Sequence, residues 1–246
     1  MSTVILKSPA KINLTLDVLG KDQRTGKHFV NTILYRDDRF FDEIELKPLS
    51  GQQNILYCLD QSVPTDDSNT ILRAMKLLGI VGYQITLTKN IPTGGGLGGG
   101  SSNAGVILKH FAEQKGIPEF HLLEMARSIG ADVPFFILDD NLAYCEGFGD
   151  LIVQSWTISP LNIEYVPTGI SVSTAQAYDE IDLSECGMSS AKTEALLHEL
   201  NLNLPRLPPT HLLHNDFEHS FFREHPEWRD KGHLAGSGGT LWKLKD

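Results

Sequence analysis

The stretch Pro92-Thr93-Gly94-Gly95-Gly96-Leu97-Gly98-Gly99-Gly100-Ser101-Ser102 sets six glycines within seven positions. Backbone amides with no side chain in front of them can converge on one point, and glycine reaches the positive-φ conformations that convergence needs. The run Ala104-Gly105-Val106-Ile107-Leu108 that follows reads as a helix. A helix starting just after Ser101-Ser102 would add unpaired N–H groups and the positive end of its dipole, a combination that favours an anion such as a phosphate. The hydroxyls of Ser101 and Ser102 are placed either to cap that helix or to reach a phosphate-bound Mg²⁺. A flexible linker is a poor account, because Gly/Ser linkers are long and featureless and this run is fixed between a strand-like segment and a helix. It lacks the Gly-Lys-Ser/Thr ending of a Walker-type loop, and Lys109 lies too far along the helix to substitute. No N-terminal βαβ unit surrounds it as a dinucleotide fingerprint requires. The loop specifies a phosphate, not a reaction.

Two charged side chains stand far from it in sequence. Residues 11–18 alternate, with Lys11, Asn13, Thr15 and Asp17 against Ile12, Leu14, Leu16 and Val18, which predicts a half-buried strand with its polar residues on one face. A lysine on an edge strand is ordinarily solvated. Asp132 stands between Gly130 and the apolar Val133-Pro134-Phe135-Phe136-Ile137. An acid set against such a run either closes a turn or has a partner or a task.

The elements that must position these groups can be followed along the chain. Residues 41–47 and 83–89 alternate as strands, and 53–59 more weakly. Asp66-Asp67-Ser68-Asn69 announces a helix over 70–78 that Gly79 closes, and Pro118 precedes another over 119–129. Residues 142–152 predict a hairpin turning at Gly147 and Gly149. Around 155–161 the composition shifts. Beyond it come helix starts near Ser173 and Ser190, a loop marked by Pro205, Pro208 and Pro209, a helix through Phe222, and Gly236-Ser237-Gly238-Gly239 turning into a terminal strand.

The 246 residues are 41% hydrophobic, enough for a packed core. A formal charge of −10 argues against non-specific nucleic-acid or anionic-membrane binding, which need clustered basic surface. Cys58, Cys145 and Cys186 are odd in number and widely spaced, which suits a reducing compartment and offers neither a disulfide framework nor a metal site. With no signal-like or bilayer-length apolar run, the expectation is a soluble, cytoplasmic protein.

Taken together, Ser8-Pro9-Ala10-Lys11-Ile12-Asn13-Leu14, residues 92–103, Gly130-Ala131-Asp132-Val133-Pro134-Phe135-Phe136, Asn215-Asp216-Phe217-Glu218 and Gly236-Ser237-Gly238 resemble, in order and spacing, the GHMP small-molecule kinases. The chain most resembles the branch that phosphorylates 4-diphosphocytidyl-2-C-methyl-D-erythritol in non-mevalonate isoprenoid biosynthesis. Other branches act on homoserine or mevalonate-type alcohols, or survive as non-catalytic nucleotide binders.

The resemblance implies an α+β fold. Its N-terminal domain, residues 1–157, would be like ribosomal protein S5 domain 2, and a smaller α/β C-terminal domain would span 158–246. It also implies that Lys11 and Asp132 form the catalytic pair, and that residues 92–102 (Pro92, Thr93, Gly94, Gly95, Gly96, Leu97, Gly98, Gly99, Gly100, Ser101, Ser102) hold the phosphates of ATP with Mg²⁺. Asn13 and His28 would contact the cytidine end of a cytidine diphosphate-linked methylerythritol. Three departures accompany it. Lys27 stands where the family has an aromatic residue to stack on cytosine, which leaves Phe29 to turn in or Lys27 to pair with the diphosphate. Gly95 stands where relatives have alanine. Relatives continue past the terminal strand, so the second half is expected to be shortened and to lean on a partner subunit, as in a homodimer.

Overall fold

The computed structural model describes residues 2–203 and 209–245, so Pro205 and Pro208 of the expected proline loop lie outside the described residues. Residue contacts divide the chain into two interleaved units. One takes the chain up to Ala10, then Asp38–Thr93 and Gly98–Leu138; the other takes Lys11–Asp37, Gly94–Leu97 and the chain from Asp139 onward. The interleaving follows from two long strands, β1 (Val4–Lys21) and β2 (His28–Pro48), each of which gives residues to both. The expected boundary at 157/158 falls inside the second unit.

In the first unit, β4 (Tyr83–Thr88) pairs in parallel with the short β3 (Ile55–Cys58). It also pairs antiparallel with the end of β2, setting Ile44 opposite Leu87 and Leu46 opposite Ile85. These four side chains are buried on one face, as a period of two requires. Against them pack Ile71 and Met75 of α1 (Thr70–Leu77), Ile107, Leu108 and Phe111 of α2 (Gly99–Lys115), and Leu122 and Ala126 of α3 (Glu119–Ile129). The expected start of α1 is borne out: the Asn69 side chain accepts the Ile71 N–H at 2.9 Å. Where α2 crosses the 3₁₀ turn Pro134–Ile137, only glycine fits at 105, since a Cβ there would stand 2.6 Å from Cβ of Phe136.

In the second unit, β5 (Leu142–Glu146) pairs antiparallel with β2, Ile33 opposite Tyr144, and with β6 (Leu151–Trp156), completing the expected hairpin. A separate sheet of three antiparallel strands runs β7 (Ile163–Pro167), β10 (Thr240–Leu244), β9 (His233–Leu234). Helices α4 (Thr174–Glu180), α5 (Ser190–Asn203) and α6 (Phe217–Glu224) complete the unit. Phe217, Phe221 and Phe222 of α6 pack with Leu16, Val18, Val30, Leu234 and Leu241.

Strand β1 departs from the half-buried expectation. Ser8 through Val18 are buried on both faces, and β1 is not an edge strand: it lies between β2 and β8 (His214–Asn215) in the sheet order. Lys11, Asn13 and Asp17 find polar partners inside the protein, whereas the Thr15 hydroxyl is buried with no hydrogen-bond partner among the described residues. Among the described residues the fold is the mixed α and β class expected, and no helix is long and apolar enough to cross a membrane.

Candidate active-site residues

Pro92 and Thr93 follow a pinned strand end. Asp42 is fully buried; its Oδ1 accepts the N–H groups of Asn90 and Ile91, each at 2.8 Å, and its Oδ2 accepts Lys89 Nζ at 2.6 Å. Helix α2 begins at Gly99, earlier than expected, with Gly98 as its N-cap at φ 70° and no side-chain cap bond. The serines therefore do not cap the helix; they belong to its first turn. The first amide bonded within the helix is that of Ser102, to the Gly98 carbonyl at 2.8 Å. That leaves the amides of Gly98 through Ser101 without intrahelical acceptors. Ser102 is buried with its Oγ 2.9 Å from Ser8 Oγ, which also donates to Asn103 Oδ1 at 2.7 Å. Half-buried Asp132 occupies the turn between α3 and Pro134–Ile137, beyond the α3 C-cap Gly130. A Cβ on Gly130 would lie 3.8 Å from Ser101 Oγ, so the turn bearing Asp132 packs beside the first turn of α2.

The rest of the loop, Gly94–Leu97, belongs to the second unit and meets the second glycine turn backbone to backbone. A Cβ on Gly96 would stand 1.6 Å from the Ala235 carbonyl oxygen, and one on Gly238 would stand 2.0 Å from Gly96 N. Gly239 N–H donates to the Gly94 carbonyl at 3.2 Å. Lys11 joins the same knot: its N–H donates to the Leu97 carbonyl at 2.9 Å. A Cβ on Gly236 would approach Lys11 Nζ to 3.0 Å and Asn13 Oδ1 to 3.5 Å. Lys11 and Asn13 are 4% and 3% exposed, so the lysine is not a solvated edge residue, and Nζ donates to Asn13 Oδ1 at 2.8 Å. The sequence marks both glycine turns but carries no signal that they touch.

The motif Asn215-Asp216-Phe217-Glu218 holds this knot in place. Asn215 Nδ2 donates to the carbonyls of Gly236 at 2.7 Å and Leu234 at 2.9 Å, while its Oδ1 accepts the Phe217 N–H at 3.0 Å. Asp216 Oδ2 accepts the N–H groups of Val18 and Gly187, each at 2.8 Å. Burial raises the Asp216 pKa above the usual carboxylate value, although the two N–H bonds oppose the shift. Glu218 Oε1 accepts the Leu234 N–H at 2.9 Å. Next to the motif, His214 Nε2 meets Asp17 Oδ1 at 2.8 Å, and Asp17 Oδ2 accepts the Thr193 hydroxyl at 2.6 Å. Burial works against a charged His214, but the Asp17 bond and the Leu212 carbonyl outweigh it, and its pKa is raised.

His28 is buried with its ring 5.1 Å from that of Tyr178 at 24°, and Tyr178 meets Phe217 edge-on at 4.8 Å. Burial first, then the Lys21 charge, lowers the His28 pKa and favours a neutral imidazole. Phe29 does not turn toward His28. It stacks on Phe148 at 5.1 Å, with Lys27 Nζ 5.3 Å from the Phe148 centroid. The aromatic surface beside His28 is therefore Tyr178, which sequence reasoning missed because Tyr178 is 150 residues away and no local pattern marks it.

Residues 69–140 match the family described as GHMP kinases N terminal domain. The chain is 33% identical over 264 residues to the 4-diphosphocytidyl-2-C-methyl-D-erythritol kinase of Chlorobium phaeobacteroides, covering 99% of this chain and 90% of that one. It is 35% identical over 213 residues to the same-named kinase of Caldicellulosiruptor bescii, covering 81% and 73%. With the Desulfotalea psychrophila kinase it shares 35% over 189 residues and spans only 62% of that protein's length. A solved 4-(cytidine 5'-diphospho)-2C-methyl-D-erythritol kinase superposes with a TM-score of 0.75 at 27% identity, covering 99% of this chain and 90% of that one. A homoserine kinase from Cytophaga hutchinsonii superposes at 0.61 with 17% identity, a likeness of fold alone.

Proposed function

Since the chain belongs to the 4-diphosphocytidyl-2-C-methyl-D-erythritol kinase family, we propose that it transfers the γ-phosphoryl group of ATP to a hydroxyl of that cytidine diphosphate-linked methylerythritol. The observation that carries this reading is the buried Lys11. Its backbone is bonded to Leu97 of the glycine loop, and its ammonium lies beside Gly236 of the turn packed on that loop. A buried cation fixed against a nest of backbone amides is an arrangement for polyphosphate.

In the reaction the substrate hydroxyl oxygen bonds to the γ-phosphorus, the bond to the bridging β,γ-oxygen breaks, and ADP leaves. Asp132 accepts the hydroxyl proton as the alcohol attacks. Lys11 offsets charge developing on the transferring phosphoryl oxygens, and the amides of residues 94–101 hold the rest of the polyphosphate. A Mg²⁺ ion bound with the nucleotide would supply charge neutralisation for the phosphates, and Ser101 and Ser102 would be the residues to hold it. The hydroxyl oxygens of Ser101 and Ser102 are donors of the hard type that ion prefers, and Ser8 fixes the second of them. Neutral His28 reads the pyrimidine edge by hydrogen bonds, Tyr178 presents the flat surface that Lys27 cannot, and Asn13, bonded to Lys11, stands nearer the transferring phosphoryl group than the expected cytidine end. The thiols of Cys58, Cys145 and Cys186 suit a reducing, cytoplasmic setting.

The test is direct. Purified protein with ATP, Mg²⁺ and 4-diphosphocytidyl-2-C-methyl-D-erythritol releases ADP and a phosphorylated product, and a folded protein without turnover refutes the reading. Preferred turnover of homoserine or mevalonate would assign it to another branch. Asp132→Asn retains ATP binding and loses about two to four orders of magnitude in transfer.

A further inference from the structure

We propose that Thr32 is a positioning residue for phosphoryl transfer: its hydroxyl fixes the direction of the Asn13 amide and thereby the place where Lys11 holds its ammonium. The inference rests on the assignment of Lys11 to the catalytic centre given above.

The chain of bonds has only one self-consistent polarity. Thr32 Oγ1 lies 2.7 Å from the Thr15 carbonyl oxygen, which can only accept. The single Thr32 hydroxyl hydrogen is therefore committed to Thr15, and its oxygen is left as an acceptor. Asn13 answers with its donor end, Nδ2 to Thr32 Oγ1 at 2.8 Å. That turns Asn13 Oδ1 toward Lys11 Nζ, which can only donate, at 2.8 Å. All four residues are at most 4% exposed, so water does not compete for these positions. Were the amide reversed, an NH₂ group would face an ammonium, two donors in contact in a buried site. A backbone carbonyl of β1 thus sets the lysine through two side chains, and Thr32 is the member that joins β2 to that chain.

Valine has nearly the same shape and suits a strand equally, so Thr32→Val removes the hydroxyl alone; the stability lost by leaving Asn13 Nδ2 and the Thr15 carbonyl without it is read separately, in the melting temperature. The two effects separate experimentally. Thr32→Val is expected to lower kcat about tenfold to a hundredfold, the penalty of a misplaced catalytic group, with KM for ATP within about threefold of the parent. Thr32→Ser, which keeps the hydroxyl, restores kcat to within about threefold. In an Asn13→Ala background Thr32→Val has no further effect on kcat, because the link it acts through is already gone. Parental kcat in Thr32→Val, failure of serine to rescue, or full additivity with Asn13→Ala would each overturn the proposal. If the parent itself turns over none of the acceptors, the functional reading fails and the relay is judged on structure. A crystal structure of Thr32→Val is expected to lose the 2.8 Å contact between Lys11 Nζ and Asn13 Oδ1, and retention of that contact refutes the relay.

Discussion

Replacing Gly96 by alanine sets a methyl carbon 1.6 Å from the Ala235 carbonyl oxygen and 2.8 Å from Gly238 N, at a φ of 76° that side chains rarely adopt. Ordinary contact begins near 3.4 Å, so the loop has to retreat by about 1.8 Å from a rigid, close-packed backbone neighbour. A move of that size breaks the bonds from Gly239 N–H to Gly94 and from Lys11 N–H to Leu97, each contributing about 0.5–1.5 kcal/mol. The left-handed conformation adds about 1 kcal/mol against any Cβ. The sum is roughly 3 kcal/mol, which for a chain of this size lowers the melting temperature by about 6–12 °C. ATP affinity falls with it, since the displaced amides are the proposed phosphate donors. Gly51→Ala is the control: it lies outside the loop, its Cβ meets nothing within 4 Å and its φ is not left-handed, so melting and ATP binding stay like the parent's. Differential scanning fluorimetry and nucleotide titration of both variants decide the matter. A Gly96→Ala protein that melts and binds ATP like the parent refutes the contact between the two glycine turns.

Asp216 receives both of its backbone bonds on one oxygen. Asp216→Asn therefore keeps stability within about 1 kcal/mol in urea unfolding, while Asp216→Ala orphans two buried N–H groups and loses about 2–4 kcal/mol. His214 has a folded pKa raised above its ordinary 6.5. Its contribution to stability is fully present below the unfolded value and is lost as pH rises through the folded one. Unfolding free energy measured across that window declines in the parent, and the decline is absent from His214→Gln. Tyr178→Ala removes the ring stacked on His28. It raises KM for the cytidine substrate about three- to tenfold while KM for ATP stays constant.

Local patterns carried much of the fold. Asn69 as a cap, Gly130 as a stop, and the alternation of 41–47 and 83–89 each rest on neighbours within a few residues, and each element formed where expected. Whether β1 lay at an edge was not legible, because alternation describes the chemistry of two faces and says nothing about the strands that flank them. The start of α2 was missed by a few residues for a related reason. A glycine at the N-cap offers no side-chain signal, whereas the serines after it look like caps. Among the candidate residues, Lys11, Asn13 and His28 came from motif resemblance, and their burial and partners follow only from packing. Tyr178 and Thr32 were invisible in sequence: the first meets His28 across 150 residues and the second meets Asn13 on the neighbouring part of the sheet, and neither stands in a distinctive local pattern.

The meeting of the two glycine turns also bears on how the protein is made. Gly96 and Gly238 are about 140 residues apart, so their contact is among the last a growing chain can form, and such non-local pairings are slow to close. Helix α2 and its core can assemble while the ribosome is still translating, but the glycine loop lacks its backing until residues 235–239 have emerged. Nascent chains stalled before Gly236 would carry a folded helical core and a glycine loop with nothing behind it. A ligand that binds only where the two turns meet would therefore favour chains in which that contact has formed, and would draw that step of folding forward.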